Sequence, residues 1–182
     1  MRLQRGSVRS EQEDDFRDFV AGRRLGLLRT AALLAAGDTH LAEDLVQATL
    51  IKVYANWATF QKVGNPESYL RRALVNALID ERRRVWRRRE QPVAELPDQA
   101  ATTASSPGGE AVRRALRELP PRMRAAVVFR YFHGLDVAET AHALECSEGT
   151  VKSQTARGLE RLRAVLDQQQ PTLSVQPQGA TS

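Results

Sequence analysis

From Glu11 to Ala36, apolar side chains return at Phe16, Phe19/Val20, Leu27, Ala31 and Leu34. This is the three- and four-residue spacing of a helix with one buried stripe, interrupted at Arg23/Arg24. Gly37 is a natural stop, and Asp38 or Thr39 can cap a second helix with the stripe Ala42, Val46, Leu50, Tyr54 and Trp57. Glu43 and Gln47 lie one turn apart on a different face of that helix, with Asp44 beside them. Gly64-Asn65-Pro66 predicts another start, because Asn65 can cap and Pro66 suits the first helical position, where its missing N–H would be unpaired anyway. The helix that follows turns Tyr69/Leu70, Ala73/Leu74 and Ala77/Leu78 inward. Arg72, Asn76 and Arg83 point another way, and the helix runs into Arg82-Arg-Arg-Val-Trp-Arg-Arg-Arg89.

The periodicity then lapses. Gln91 to Gly109 holds Pro92, Pro97, Pro107, Gly108 and Gly109 among Thr, Ala and Ser, and cannot bury enough apolar surface to offset the entropy of ordering. It reads as a flexible linker. Beyond it a helix from about Glu110 to Leu119 meets Pro120-Pro121, and a further one carries Met123, Val127/Val128 and Tyr131. Gly134-Leu135 is a turn, and Asp136 caps a short helix with Val137, Ala141 and Leu144. Glu145-Cys-Ser147 is a tight turn before a helix from Glu148 to about Leu166. No segment of useful length has the strand period. The expectation is all-α: two small helical domains, 12–90 and 110–167, joined by a flexible linker at 91–109, with disordered tails at 1–11 and 168–182.

Charge sharpens this picture. The 182 residues carry only +5, but eight arginines between Arg71 and Arg89 against Asp80 and Glu81 give that stretch alone +6. Between Gln91 and Ala111 there is no Lys or Arg. Such focused positive charge points to a polyanion. The single cysteine, Cys146, excludes an internal disulfide framework and a Cys-based zinc site, and reads as a small buried residue. Glu11-Gln-Glu-Asp-Asp15 stands where a signal peptide needs apolar residues, and the apolar run Ala31 to Ala36 is too short to span a bilayer. A cytoplasmic chain with no membrane partner is expected. Adjacent Glu43 and Asp44 point about 100° apart on a helix, which does not make a catalytic carboxylate pair. His40, His133 and His142 are scattered, and no phosphate loop or nucleophile–base motif occurs. No catalysis, metal or cofactor is expected.

Two constellations bear on nucleic acid. Asp136 to Arg163 reads as a helix-turn-helix: a short helix with small Ala138 and Ala141, a turn, then a longer helix that opens with polar residues. That geometry would bring Thr150, Lys152, Ser153, Gln154 and Arg157 to base edges in the major groove. The span also carries Asp136, Glu139, Glu145, Glu148 and Glu160, which argues against strong autonomous DNA binding. In the arginine-rich helix Trp86 sits among the cations, with Tyr69, Trp57 and Phe60 nearby in sequence. Aromatic faces can stack unpaired bases while arginines hold phosphates. Trp57, on the apolar stripe, is better read as core.

The modules resemble, in order, regions 2 and 4 of sigma-70 factors of the extracytoplasmic-function group. Ala42-Glu-Asp-Leu-Val-Gln-Ala-Thr-Leu50 looks like region 2.2, and Tyr69-Leu-Arg-Arg-Ala-Leu-Val-Asn-Ala-Leu-Ile-Asp80 like the helix after it. Leu119-Pro-Pro-Arg-Met-Arg-Ala-Ala-Val-Val128 is similar to the LPxxxR opening of region 4, and Ser147-Glu-Gly-Thr-Val-Lys-Ser153 to the region 4.2 signature. Gln154-Thr-Ala-Arg157 resembles the actinobacterial SigE-type subgroup. The resemblance implies a protein that directs core RNA polymerase to promoter DNA and helps to melt it. It implies that Glu43, Asp44 and Gln47 dock on the clamp helices of the largest polymerase subunit. The loop Phe60 to Tyr69, including Asn65, together with Asn76, would receive a base flipped out of the −10 element, with Arg72, Arg83 and Trp86 along the same strand. Lys152, Ser153, Gln154 and Arg157 would face the −35 element beside Thr150, with Arg130 on a phosphate, and the linker would thread the RNA exit channel. An anti-sigma factor is a further partner that the resemblance leaves room for. The rival is a stand-alone helix-turn-helix regulator, which would leave the Arg-Trp segment and the Glu43/Asp44/Gln47 face without a purpose.

Overall fold

The computed structural model describes residues 3–89 and 107–169. Among them every regular element is helical: α1 (Leu3–Leu34), α2 (Thr39–Ala55), the single turn α3 (Trp57–Phe60), α4 (Pro66–Arg89), α5 (Pro107–Arg117), α6 (Pro121–Val127), α7 (Val137–Leu144) and α8 (Glu148–Gln169). A π-helical turn, Val128–Phe132, follows α6 directly. Most of the expected linker, and the tail beyond Gln169, lie outside the described residues. Three boundaries move, the smallest being the end of α8, which runs to Gln169 past the expected start of the tail at 168. The segment 3–11, expected as a tail, is the start of α1: it holds no proline, and its Leu, Gln, Arg and Glu residues are good helix formers. Likewise Pro107 to Gly109, expected in the linker, make the first turn of α5, where proline is tolerated.

In the first module α1 and α2 fold back on each other across a turn in which Ala36 and Gly37 take φ of 55° and 89°. The Gly37 N–H donates to Ala32 O at 2.9 Å, closing the end of α1, and the Asp38 carboxylate accepts from Leu41 N at 2.9 Å, opening α2. α4 packs across both, burying Leu70, Leu74 and Leu78 against Leu34, Leu45 and Val53. One end of the module is closed by aromatic rings. Phe19 and Phe60 stand 5.2 Å apart, Phe60 and Tyr69 5.2 Å, and Phe16 and Trp57 5.2 Å, each pair tilted edge to face.

In the second module α8 lies against α5, α6 and α7. The crossing of α8 with α6 needs Gly158, since a Cβ there would stand 2.6 Å from Val127 Cγ2 and 3.2 Å from Met123 Cγ. α7 opens with a full capping box: Asp136 accepts from Glu139 N at 2.7 Å while Glu139 accepts from Asp136 N at 2.8 Å. Glu145 ends α7 in the left-handed region, with φ 50° and ψ 51°.

The two modules also touch, and their buried residues form one continuous apolar cluster. The contact centres on Arg124 of α6, which is only 1% exposed. Its guanidinium donates to Leu34 O at 2.6 Å, Leu119 O at 3.1 Å and Arg117 O at 3.2 Å. A cation so placed satisfies carbonyls that the ends of α1 and α5 leave without helical partners, and it sits at the negative poles of both helices. Burial, with Arg82 and Arg117 adding to it, lowers its pKa from the ordinary arginine value to about 10, which leaves it charged at neutral pH. Arg117 adds a second bridge, donating to Ala36 O at 3.0 Å.

Candidate nucleic-acid interface

Glu43, Asp44 and Gln47 are all exposed on α2, while Ala42, Leu45, Val46 and Thr49 between them are buried. The helix therefore presents an acidic, amide-bearing face that its own core does not use. Ile51, one turn further along that face, is 69% exposed, an apolar residue spent on the surface.

The −10 candidates separate into three groups. Phe60 is buried, 4% exposed, and belongs to the aromatic cluster with Phe19, Trp57 and Tyr69. It is core, as Trp57 is, so no free stacking face comes from either. Asn65 is exposed, and its Oδ1 accepts from Ser68 N at 3.0 Å, the capping role that its place before Pro66 suggested. Tyr69 is half-buried, edge-on to Phe60. Arg72, Asn76 and Arg83 follow along α4: Asn76 is half-buried and Arg83 exposed, 3.9 Å from Asp80. Arg72 is engaged across the module boundary, 2.9 Å from Glu145 Oε1 and 3.4 Å from His142 Nε2. Its neighbour Arg71 has its pKa lowered by burial, opposed by the charge of Glu139. The side chain of Trp86 lies outside the described residues.

The −35 candidates sit at the start of α8. Ser147 caps it, accepting from Thr150 N at 3.1 Å with its Oγ 2.9 Å from Thr150 Oγ1. Thr150 thus braces the helix start and is half-buried. Lys152, Ser153 and Arg157 are exposed, and Ser153 Oγ donates to Thr150 O at 3.0 Å. Gln154 is half-buried, and its Oε1 has no partner among the described residues. Val151 and Thr155, the alternate positions, face the core. Arg130, given to a phosphate by the resemblance, is half-buried and donates to Leu135 O, bracing the turn before α7.

Sequence reasoning missed two of the residues that tie the modules together, Arg124 and Glu145. The signal for Arg124 was present in the Leu119-Pro-x-x-x-Arg124 spacing; that for Glu145 was the absence of glycine at a helix end. The π turn, which leaves Tyr131 and Phe132 59% and 51% exposed while Phe129 is fully buried, had no signal in the periodicity.

Two helical modules, the second a capped helix-turn-helix with a polar, exposed recognition face, have the architecture of a DNA-binding protein. The description "Sigma-70 region 2" fits residues 21–88 and "Sigma-70, region 4" fits residues 109–162. Over 157 residues the chain is 35% identical to the RNA polymerase sigma-E factor of Streptomyces coelicolor, spanning 84% of this chain and 86% of that one. It is 34% identical over 139 residues to the ECF RNA polymerase sigma factor SigM of Mycobacterium tuberculosis, spanning 76% and 71%. Among solved structures it matches the sigma factor RpoE of Bartonella quintana, determined in complex with the anti-sigma factor NepR, with a TM-score of 0.66 and 26% identity over 86% of this chain and 99% of that one. The chain belongs to the sigma-70 family, in its ECF group, and functions as an RNA polymerase sigma factor in transcription initiation. A stand-alone regulator is the weaker reading, since it would have no use for a region 2 module.

Proposed function

We propose that region 2 docks on core polymerase through Glu43, Asp44 and Gln47, reads the unpaired −10 strand with Asn76, Arg72 and Arg83, and leaves the −35 element to Lys152, Ser153, Gln154 and Arg157. The observation that carries this is the exposure of the α2 acidic face on an otherwise core-forming helix. Asn65 and Tyr69 shape the pocket for the flipped base rather than hold it alone, because capping and packing already occupy them. Arg130 and Thr150 act mainly by fixing the turns that aim α8. The protein supplies position and charge, with polymerase doing the chemistry, so it is no enzyme and works in the cytoplasm where polymerase is. An anti-sigma factor is a reasonable partner on the strength of the Bartonella quintana relative, solved with one bound. Run-off transcription with core enzyme tests the function. Glu43→Ala with Asp44→Ala should abolish transcripts and polymerase binding while leaving the melting curve of the free protein unchanged. Unaltered affinity for core polymerase would show that the docking face lies elsewhere.

A further inference from the structure

We infer that Arg23 of α1 is a positioning residue for base recognition: it holds the first turn of α4, and through it the loop 61–65, where a base flipped out of the −10 strand is received. This rests on the reading given above, in which Asn65 and Tyr69 shape the pocket for that base.

Arg23 interrupts the apolar stripe of α1 between Phe19/Val20 and Leu27, at a place where an apolar side chain would add to the core. The residue is half-buried. Its guanidinium carbon lies 5.7 Å from the centroid of the Phe19 ring, and its Nη1 donates to Glu67 Oε1 in the first turn of α4. Phe19 meets Phe60, and Phe60 meets Tyr69, each at 5.2 Å. One ionic and one aromatic route therefore join the same point of α1 to Glu67 and Tyr69. A third contact holds the other end of the loop. Gln61 Nε2 donates to Asp15 Oδ2 at 3.5 Å, a long and weak bond about two turns nearer the start of α1.

Between those anchors the loop is tethered on both sides of a single glycine. Gln61, Lys62 and Val63 donate their N–H groups to Trp57 O, Thr59 O and Phe60 O at 2.9, 3.1 and 3.0 Å, and Asn65 Oδ1 accepts from Ser68 N at 3.0 Å. Gly64 lies between these segments, exposed, and a Cβ there would meet nothing within 4 Å. The loop thus leaves room for a planar base, and its walls stand where α1 holds the ends of α3 and α4. A flipped base is read by hydrogen bonds and stacking, which weaken when a wall shifts. Glu67 also suits the helix dipole at the start of α4, but that role asks for no arginine at position 23. The pair is partly solvated, with side chains 39% and 50% exposed, and contributes little to global stability. An arginine on an apolar stripe is accounted for by placing α4 rather than by holding the fold together.

The test uses holoenzyme assembled from core polymerase and the full chain, on a promoter fragment that it transcribes, labelled with fluorescein and pre-opened at the −10 element. Each −10 position of the non-template strand is made abasic in turn, and affinity is read by anisotropy. The wild type should show one position where loss of the base costs most, and the intact-to-abasic affinity ratio there is the readout. Arg23→Gln and Glu67→Gln should each lower that ratio by about two- to fivefold, the range that a partly exposed ion pair can contribute. Arg23→Lys should keep most of it. The double variant should fall no further than either single one, because both remove the same contact. Glu67→Gln separates placement from charge: plain electrostatics would tighten binding of intact and abasic fragments alike and leave the ratio unmoved. Should Arg23→Gln fail to fold, Glu67→Gln alone decides. A sensitive position whose ratio equals wild type in the folded variants sinks the role of Arg23, and so do losses that multiply in the double variant. A wild type with no sensitive position would instead overturn the flipped-base reading, and with it anything for Arg23 to position.

Discussion

Replacing Arg124 with Met keeps the aliphatic stem and removes the head that three main-chain carbonyls share. Two terms oppose each other. Burial that lowers the Arg124 pKa from the ordinary arginine value to about 10 corresponds to roughly 3 kcal/mol against the charged form, which Met recovers. On the other side Leu34 O, Arg117 O and Leu119 O each lose a charge-assisted bond in a dry site. At about 1.5–3 kcal/mol apiece the gross loss is roughly 4.5–9 kcal/mol. The net expectation is a destabilisation on the order of 2–5 kcal/mol. Urea unfolding followed by circular dichroism reads it as a fall in midpoint with the slope compared between variants. Arg124→Lys should fall between, because a single ammonium cannot reproduce the planar fork that reaches three acceptors. A midpoint for Arg124→Met equal to or above wild type would mean that the cost of burying the cation exceeds what its bonds return, and would refute the reasoning.

Arg157→Ala should weaken promoter binding by the holoenzyme by about 1–3 kcal/mol if Arg157 makes a base contact, with a loss that depends on the −35 sequence in a competition assay. Gly158→Ala forces a methyl to within 2.6 Å of Val127 Cγ2, and should cost about 1–3 kcal/mol in thermal unfolding as α6 and α8 move apart. Burial, and then the nearby Arg71, hold the His133 imidazole below its ordinary 6.5. The folded state therefore binds that proton more weakly than the unfolded one. The contribution is complete above pH 6.5 and is lost progressively as pH falls below that value and through the lower pKa of the folded state. His133→Gln should flatten the difference in stability between neutral and mildly acidic solution; an unchanged pH slope would show that His133 is not the titrating group.

What could be read from the chain was whatever depends on local spacing. The caps at Asp38, Asn65, Asp136 and Ser147, and the exposed Lys152, Ser153 and Arg157 of α8, follow from turn chemistry and periodicity and stand where those rules put them, whereas Tyr54 and Tyr131, placed on apolar stripes, are exposed. Phe60 shows the limit. It was placed among aromatic rings that could stack an unpaired base, but burial is settled by what arrives from elsewhere, here Phe19 from α1 and Tyr69 from α4. The same holds for Arg72, whose face of α4 was legible while its partner Glu145, 73 residues away, was not. Contacts between modules depend on long-range packing that no window of sequence contains.

The low net charge of the second module and the contact between modules bear on the same question of when this protein engages DNA. A recognition helix hemmed by Glu145, Glu148 and Glu160 should gain little from the phosphate backbone, so poor duplex affinity is expected of the second module alone. The strongly basic end of α4 keeps Arg82, Arg83, Arg84 and Arg87 exposed and could bind any polyanion, whereas Arg72, near the start of that helix, faces Glu145 of the second module. If region 2 docks through α2 as proposed, tethering both modules to one large body would give each weak contact a high effective concentration for the other, and specificity would be a property of the assembled holoenzyme.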